Sequence, residues 1–201
     1  MRALGPPFIG LTGAIAAGKS ETLAALSRLG AATLSTDQVA HEVLGDPAII
    51  ESLVERWGDE IASGGATDRR RVGEIVFNQP GELRWLESIT HPLVGDRVAR
   101  WREELDPATS LAVVEVPLLF EAGMESLFDA TLVVVADHER RTEWATARDA
   151  DDFDARSARQ LSQAEKAERA TFVVANEGTI ADLEAELREL WPRLINAGPP
   201  A

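Results

Sequence analysis

Residues 10–22 read GLTGAIAAGKSET, and the fold turns on how this stretch is understood. Gly13, Gly18, Lys19 and Ser20 satisfy the pattern G-x-x-x-x-G-K-S. In such a loop backbone N–H groups wrap a phosphate, the lysine reaches β/γ oxygens and the hydroxyl can ligate Mg2+. The flanks suit that chemistry. An apolar strand, Phe8–Thr12, runs in, and a helical pattern carrying Leu23, Leu26 and Leu29 runs out, so a helix N-terminus faces the loop. Ala14, Ala16 and Ala17 stand where glycine and serine are common. A Cβ at a positive-φ position costs about 1–2 kcal/mol, so nucleotide binding is expected from a stiffened loop formed by residues 13–21, Glu21 included.

Further strands are expected at Ala32–Ser35, Leu111–Val116, Thr131–Ala136 and Phe172–Ala175, each short and apolar enough to be buried on both faces. Alternation of these runs with helical patterns predicts a parallel α/β sheet flanked by helices. Residues 180–194 repeat Ile180, Leu183, Leu187, Leu190 and Leu194 on one helical face. Residues 36–110 show helical patterns around 49–57, 69–77, 81–89 and 93–105, too long for a plain crossover. The expected division is a core (about 1–45, 108–137 and 170–201), a helical subdomain (about 46–107) and a polar, charged lid (about 138–169).

The totals narrow the function. A net charge of −14 argues against nucleic acid as a partner. Hydrophobic residues form 45% of the 201, enough for a core. Cysteine is absent, which removes disulfides and thiolate metal sites. The N-terminal apolar run is broken by Pro6, Pro7 and Gly10, and no stretch reaches the roughly 20 apolar residues of a membrane span. A soluble cytoplasmic protein is expected, with its oligomeric state unreadable. Lysine occurs only at Lys19 and Lys166, so a chance lysine within the loop is less expected. No D-x-x-G, N-K-x-D or LSGGQ string accompanies the loop, which leaves a small-molecule or nucleotide kinase as the leading class.

Four other stretches fall in order behind the loop: STDQVAHEVL at 35–44, THPLV at 90–94, VVEVPLLFEAG at 113–123 and VVANEG at 173–178. Together they resemble the dephospho-coenzyme A kinase family over nearly the whole chain, with HPLV followed by VPLLFE the specific part. The resemblance implies a P-loop kinase-type five-stranded parallel sheet with a helical CoA subdomain and a helical lid. It also implies ATP and Mg2+ as cofactors and dephospho-CoA as the small-molecule substrate, phosphorylated on its ribose 3′-hydroxyl.

The resemblance assigns roles to residues. Asp37 matches the second aspartate of the family's D-x-D and would act as base on the acceptor hydroxyl; read alone, it could cap a helix over 38–44. The first aspartate is Ser35 here. Glu115, ending an apolar strand, would hold Mg2+ through water. Thr12, Arg69, His91, Leu118, Leu119 and Glu121 would line the acceptor site, although Leu118 and Leu119 read alone are simply core. His91–Pro92 is expected to open the helix over 93–105. Arg148, Arg156 and Gln160 match lid positions; Arg148 is placed among the catalytic residues, and which lid arginine neutralises the transferring phosphate is left open. Trp144 stands where the family usually has another arginine, and Arg141 could replace it. Asn176 and Gly178 match the segment near the adenine. The rivals left open are another small-molecule kinase and a non-catalytic nucleotide- or CoA-binding regulator.

Overall fold

The computed structural model describes residues 5–63, 65–138, 141–142 and 160–198. Among the described residues seven strands are formed: β1 (Phe8–Gly13), β2 (Ala32–Ser35), β3 (Ala62–Ser63), β4 (Ala66–Thr67), β5 (Ala112–Glu115), β6 (Ala130–Val135) and β7 (Phe172–Ala175). The α-helices of the described residues are α1 (Lys19–Arg28), α2 (Thr36–Val43), α3 (Pro47–Trp57), α4 (Arg69–Asn78), α5 (Pro80–Glu103), α6 (Gln163–Arg169) and α7 (Ile180–Leu194). They group into two compact units, one built from residues up to Ser35 and from Leu105 onward, the other from Thr36–Glu104.

In the first unit five strands make one sheet in the order β2-β5-β1-β6-β7, and every pairing is parallel. The five expected strands are these five, each shifted by a residue at most. Burial explains their legibility: every residue of β1 and β5 is buried, so both read as continuous apolar runs. From β1 the chain proceeds to one side through β2 and β5, then crosses to the other for β6 and β7. The carboxyl end of β1 is therefore a topological switch point, where open α/β sheets place ligands. Ile9, Leu11, Leu132 and Val134 of the sheet pack with Leu26 of α1 and with Leu183, Leu187 and Leu194 of α7. Ile180, expected on the same inward face, is instead 56% exposed at the first residue of α7. A Thr179–Asp182 capping box fixes that helix start, and the inward face begins three residues later.

Two glycines of β1 are required by close approach. A Cβ on Gly10 would lie 2.5 Å from Leu119 Cδ1, and one on Gly13 would lie 2.7 Å from the carbonyl oxygen of Val134. The second obstacle is backbone in a central strand and cannot swing aside. Gly13→Ala is expected to cost on the order of 1–3 kcal/mol, as overpacking does. Ala16→Gly should stay within about 1 kcal/mol of the parent, because relief of left-handed strain offsets glycine's extra unfolded freedom. Urea melts of the two variants check this contrast.

The second unit is helical, with one addition: β3 and β4 pair antiparallel as a minimal hairpin. Two-residue strands carry no periodicity, so the sequence reading misses them; the turn is marked by Gly65 at φ +82°. The helix expected to begin after His91–Pro92 does not. α5 runs unbroken from Pro80 to Glu103 with Pro92 inside it. An internal proline forfeits one i→i−4 bond and costs about 3 kcal/mol. Here packing of α5 against α2 and α4 outweighs that loss, and Thr90, two residues before the proline, is buried with its hydroxyl donating to the Leu86 carbonyl at 2.8 Å.

Glu82 joins α3 to α5. It accepts from Arg56 Nε at 2.7 Å and Nη2 at 2.9 Å and from Trp57 Nε1 at 2.7 Å. The Arg56 guanidinium also lies 4.6 Å from the centre of the Trp85 ring, which meets Trp57 edge-on at 5.1 Å. Hydrogen bonds from Arg56 first, and Trp57 second, hold the Glu82 carboxyl down at about 2, from an ordinary 4.5. Its stabilising contribution is thus full above the unfolded value and disappears as pH falls through about 2. Glu82→Gln should lower stability to urea at pH 6 and converge with the parent near pH 2.

Candidate active site

The loop between β1 and α1 is held open by its own backbone and by two outside struts. Gly18 caps α1 in the left-handed region (φ +93°, ψ +25°), and Ala16 also sits there at φ +58°. Ala16 thus carries the strain foreseen for an alanine in this loop, at one position of the three. The Ala17 amide donates to the Ala14 carbonyl at 3.2 Å, and the Thr22 hydroxyl returns to the Gly18 carbonyl at 3.0 Å. Lys19 leaves the top of α1 with Nζ donating to the carbonyls of Gly13 (3.3 Å) and Ala14 (3.2 Å). Its ammonium therefore lies over the loop. Ser20 is exposed in the first turn.

The struts come from distant parts of the chain. Asn176, buried after β7, donates Nδ2 to the Ala17 carbonyl at 3.0 Å, while its own amide donates to Val135 at 2.7 Å. Arg141 donates Nε to the Ile15 carbonyl at 3.0 Å. Burial pulls the Arg141 pKa below its ordinary value, yet a guanidinium stays cationic at neutral pH. A positive charge therefore lies against the loop at Ile15. Glu21, grouped in sequence with the nucleotide contacts, pairs with Arg28 at 2.8 Å along α1.

At the carboxyl edge of the sheet Glu115 ends β5 and is 5% exposed. It lies in register with Leu11 of β1 on one side and Ser35 of β2 on the other. The family's aspartate at position 35 would thus be a strand neighbour of Glu115, and serine removes a like charge from that place. Thr12 is fully buried, and its hydroxyl donates to the Pro117 carbonyl at 3.1 Å, so it braces the turn after β5. In that turn Leu118 is 42% exposed, whereas Leu119 is fully buried against Gly10. Leu118 is therefore exposed, and Leu119, expected at the acceptor site, is core. Glu121 Oε1 accepts from the Leu161 amide at 2.9 Å and from Lys166 Nζ at 3.0 Å. Lys166 has no side-chain surface left. Gln160 is half-buried just ahead of this anchor. Gly178 adjoins Asp182 of the α7 capping box. Arg148, Arg156 and Trp144 lie outside the described residues.

In the helical unit Asp37 is exposed in the first turn of α2. The expected capping position is corrected: α2 begins at Thr36, one residue ahead of Asp37, because the chain turns helical directly after β2. Its carboxylate stands near the positive helix end, a favourable place for a negative charge. His91 is exposed midway along α5. Arg69 opens α4 and donates Nη2 to the His41 carbonyl at 3.3 Å.

Residues 7–182 match the family model for dephospho-CoA kinase. The chain belongs to the dephospho-CoA kinase family. A dephospho-CoA kinase from Frankia casuarinae is 38% identical over 192 residues, covering 93% of this chain and 83% of that protein. Among solved structures, TT1252 from Thermus thermophilus superposes with a TM-score of 0.79 at 34% identity, covering 95% of this chain and 99% of the other. Dephospho-CoA kinase from Campylobacter jejuni gives 0.66 at 26% identity, covering 94% and 97%. The P-loop kinase-type sheet expected from the sequence is therefore the fold of a kinase family. Among the described residues no helix is long and apolar enough to cross a membrane.

Proposed function

We propose that the protein transfers the γ-phosphate of ATP to the ribose 3′-hydroxyl of dephospho-CoA, the last step of coenzyme A synthesis, in the cytoplasm. The observation that carries this reading is Lys19 at the head of α1 with Nζ over the Gly13 and Ala14 carbonyls, in a chain matched to the family from residue 7 to 182. The cradle fits a phosphate: Gly18 is left-handed, Gly13 has no room for a Cβ, and a helix N-terminus closes the loop. Loop amides and Lys19 bind the β- and γ-phosphates. Ser20 directly, and Glu115 through water, would hold Mg2+, which neutralises charge on the phosphate oxygens.

Asp37 accepts the proton of the 3′-hydroxyl as the new O–P bond forms and the bond to the β-phosphate oxygen breaks, releasing ADP. Arginine charge from Arg141, and from Arg148 and Arg156, offsets the negative charge of the transferring group. Leu118, Arg69 and His91 contact the acceptor. An ADP-release assay over an acceptor panel tests the reading. Turnover with dephospho-CoA and none with nucleosides is expected. Turnover confined to another acceptor, or tight ATP binding with no turnover at all, would overturn it.

A further inference from the structure

Lys166 is one of only two lysines in the chain and among the largest side chains with no exposed surface. Its Nζ donates to the Pro117 carbonyl at 3.1 Å and pairs with Glu121 Oε1 at 3.0 Å. The same Pro117 carbonyl accepts from Thr12 at the end of β1, and the same Glu121 oxygen accepts from the Leu161 amide. One ammonium on α6 thus holds both ends of the 117–121 turn, which is closed on itself by the Ala122 amide to Leu118 at 3.0 Å. Gln163, one turn earlier on α6, clamps Ala136 beyond β6 through both amide atoms, at 2.9 and 3.1 Å.

As a source of stability this arrangement is poor. Lys166 has no exposed side-chain surface, the Glu121 side chain is only 15% exposed, and Glu121 Oε2 is buried with no hydrogen-bond partner among the described residues. Buried pairs of this kind are often matched or bettered by apolar residues of similar volume, so their cost must be offset by what they specify. What this one specifies is the backbone path of 117–121, which carries the exposed Leu118.

We infer that Lys166 is a positioning residue for the acceptor: it sets the 117–121 turn against the carboxyl end of β1 and so governs acceptor affinity, not nucleotide affinity. This rests on the proposed dephospho-CoA kinase reading. It separates two properties that an ordinary core residue would move together.

The test is the double variant Lys166→Met/Glu121→Met, which removes both buried charges at once and leaves neither stranded. Its Tm is expected at or above the parent's, while KM for dephospho-CoA rises about tenfold and KM for ATP stays within twofold. A parent-like KM for dephospho-CoA in the folded double variant would overturn the inference, as would an equal rise in both constants. If that variant does not fold, Lys166→Arg carries the test. It keeps a cation but lengthens the side chain, and is expected to raise the dephospho-CoA KM at least threefold with ATP KM unchanged; an unchanged acceptor KM would contradict the inference. The parent run in parallel separates the two readings, since a parent inactive on dephospho-CoA would defeat the proposed function itself.

Discussion

Lys19→Met is expected to lower kcat by on the order of 10³-fold or more, the scale seen when a preorganised charge on a transferring phosphoryl group is removed. Methionine keeps the apolar stem and deletes only the ammonium. The loop does not depend on that ammonium for its path. Asn176 still holds the Ala17 carbonyl, Arg141 still holds Ile15, and Gly18 still caps α1. Two bonds from Nζ to loop carbonyls are lost, a change of about 1 kcal/mol that shifts Tm by roughly 2–4 °C. Steady-state kinetics beside a thermal melt separates the effects: turnover collapses while the fold remains. A variant retaining a tenth of parental kcat would mean that Lys19 does not meet the phosphate.

The second large effect is expected at Asp37. Asp37→Asn preserves shape and removes the proton acceptor, so kcat for dephospho-CoA should fall by roughly 10²–10⁴-fold, the usual contribution of a positioned base. Asp37 is exposed in the first turn of α2, and the bonds that Asn176, Arg141 and Lys19 make to the phosphate loop do not involve it. KM for ATP should therefore change less than about twofold. The loss of charge at a helix N-terminus costs about 0.3–1 kcal/mol, too little to explain such a drop through unfolding. Parental kcat in Asp37→Asn would move the base elsewhere.

The sheet was legible because its inner strands are buried on both faces, so Phe8–Gly13 and Ala112–Glu115 appear as unbroken apolar runs. The loop was legible because its chemistry is local: lysine, serine and the two pattern glycines lie within eight residues. Pro92 misled because proline's local preference for a first helical turn was outweighed by packing along α5. The β3–β4 hairpin is too short to leave a period. Lys166 was passed over for a different reason. Its importance lies in contacts with Pro117 and Glu121, 49 and 45 residues away, and no local pattern reports a contact of that kind. Asn176 matches by resemblance the segment near the adenine, and its buried side-chain amide donates to the Ala17 carbonyl of the phosphate loop, a contact that no local pattern reports.

The most direct measurement is identification of the product. The purified protein, incubated with ATP, Mg2+ and dephospho-CoA, should yield one ADP for each acceptor consumed. The product should show by phosphorus–proton NMR a new phosphomonoester coupled to the ribose H3′. A phosphate at any other position, or unchanged dephospho-CoA beside an acceptor of another class that is phosphorylated, would contradict the account.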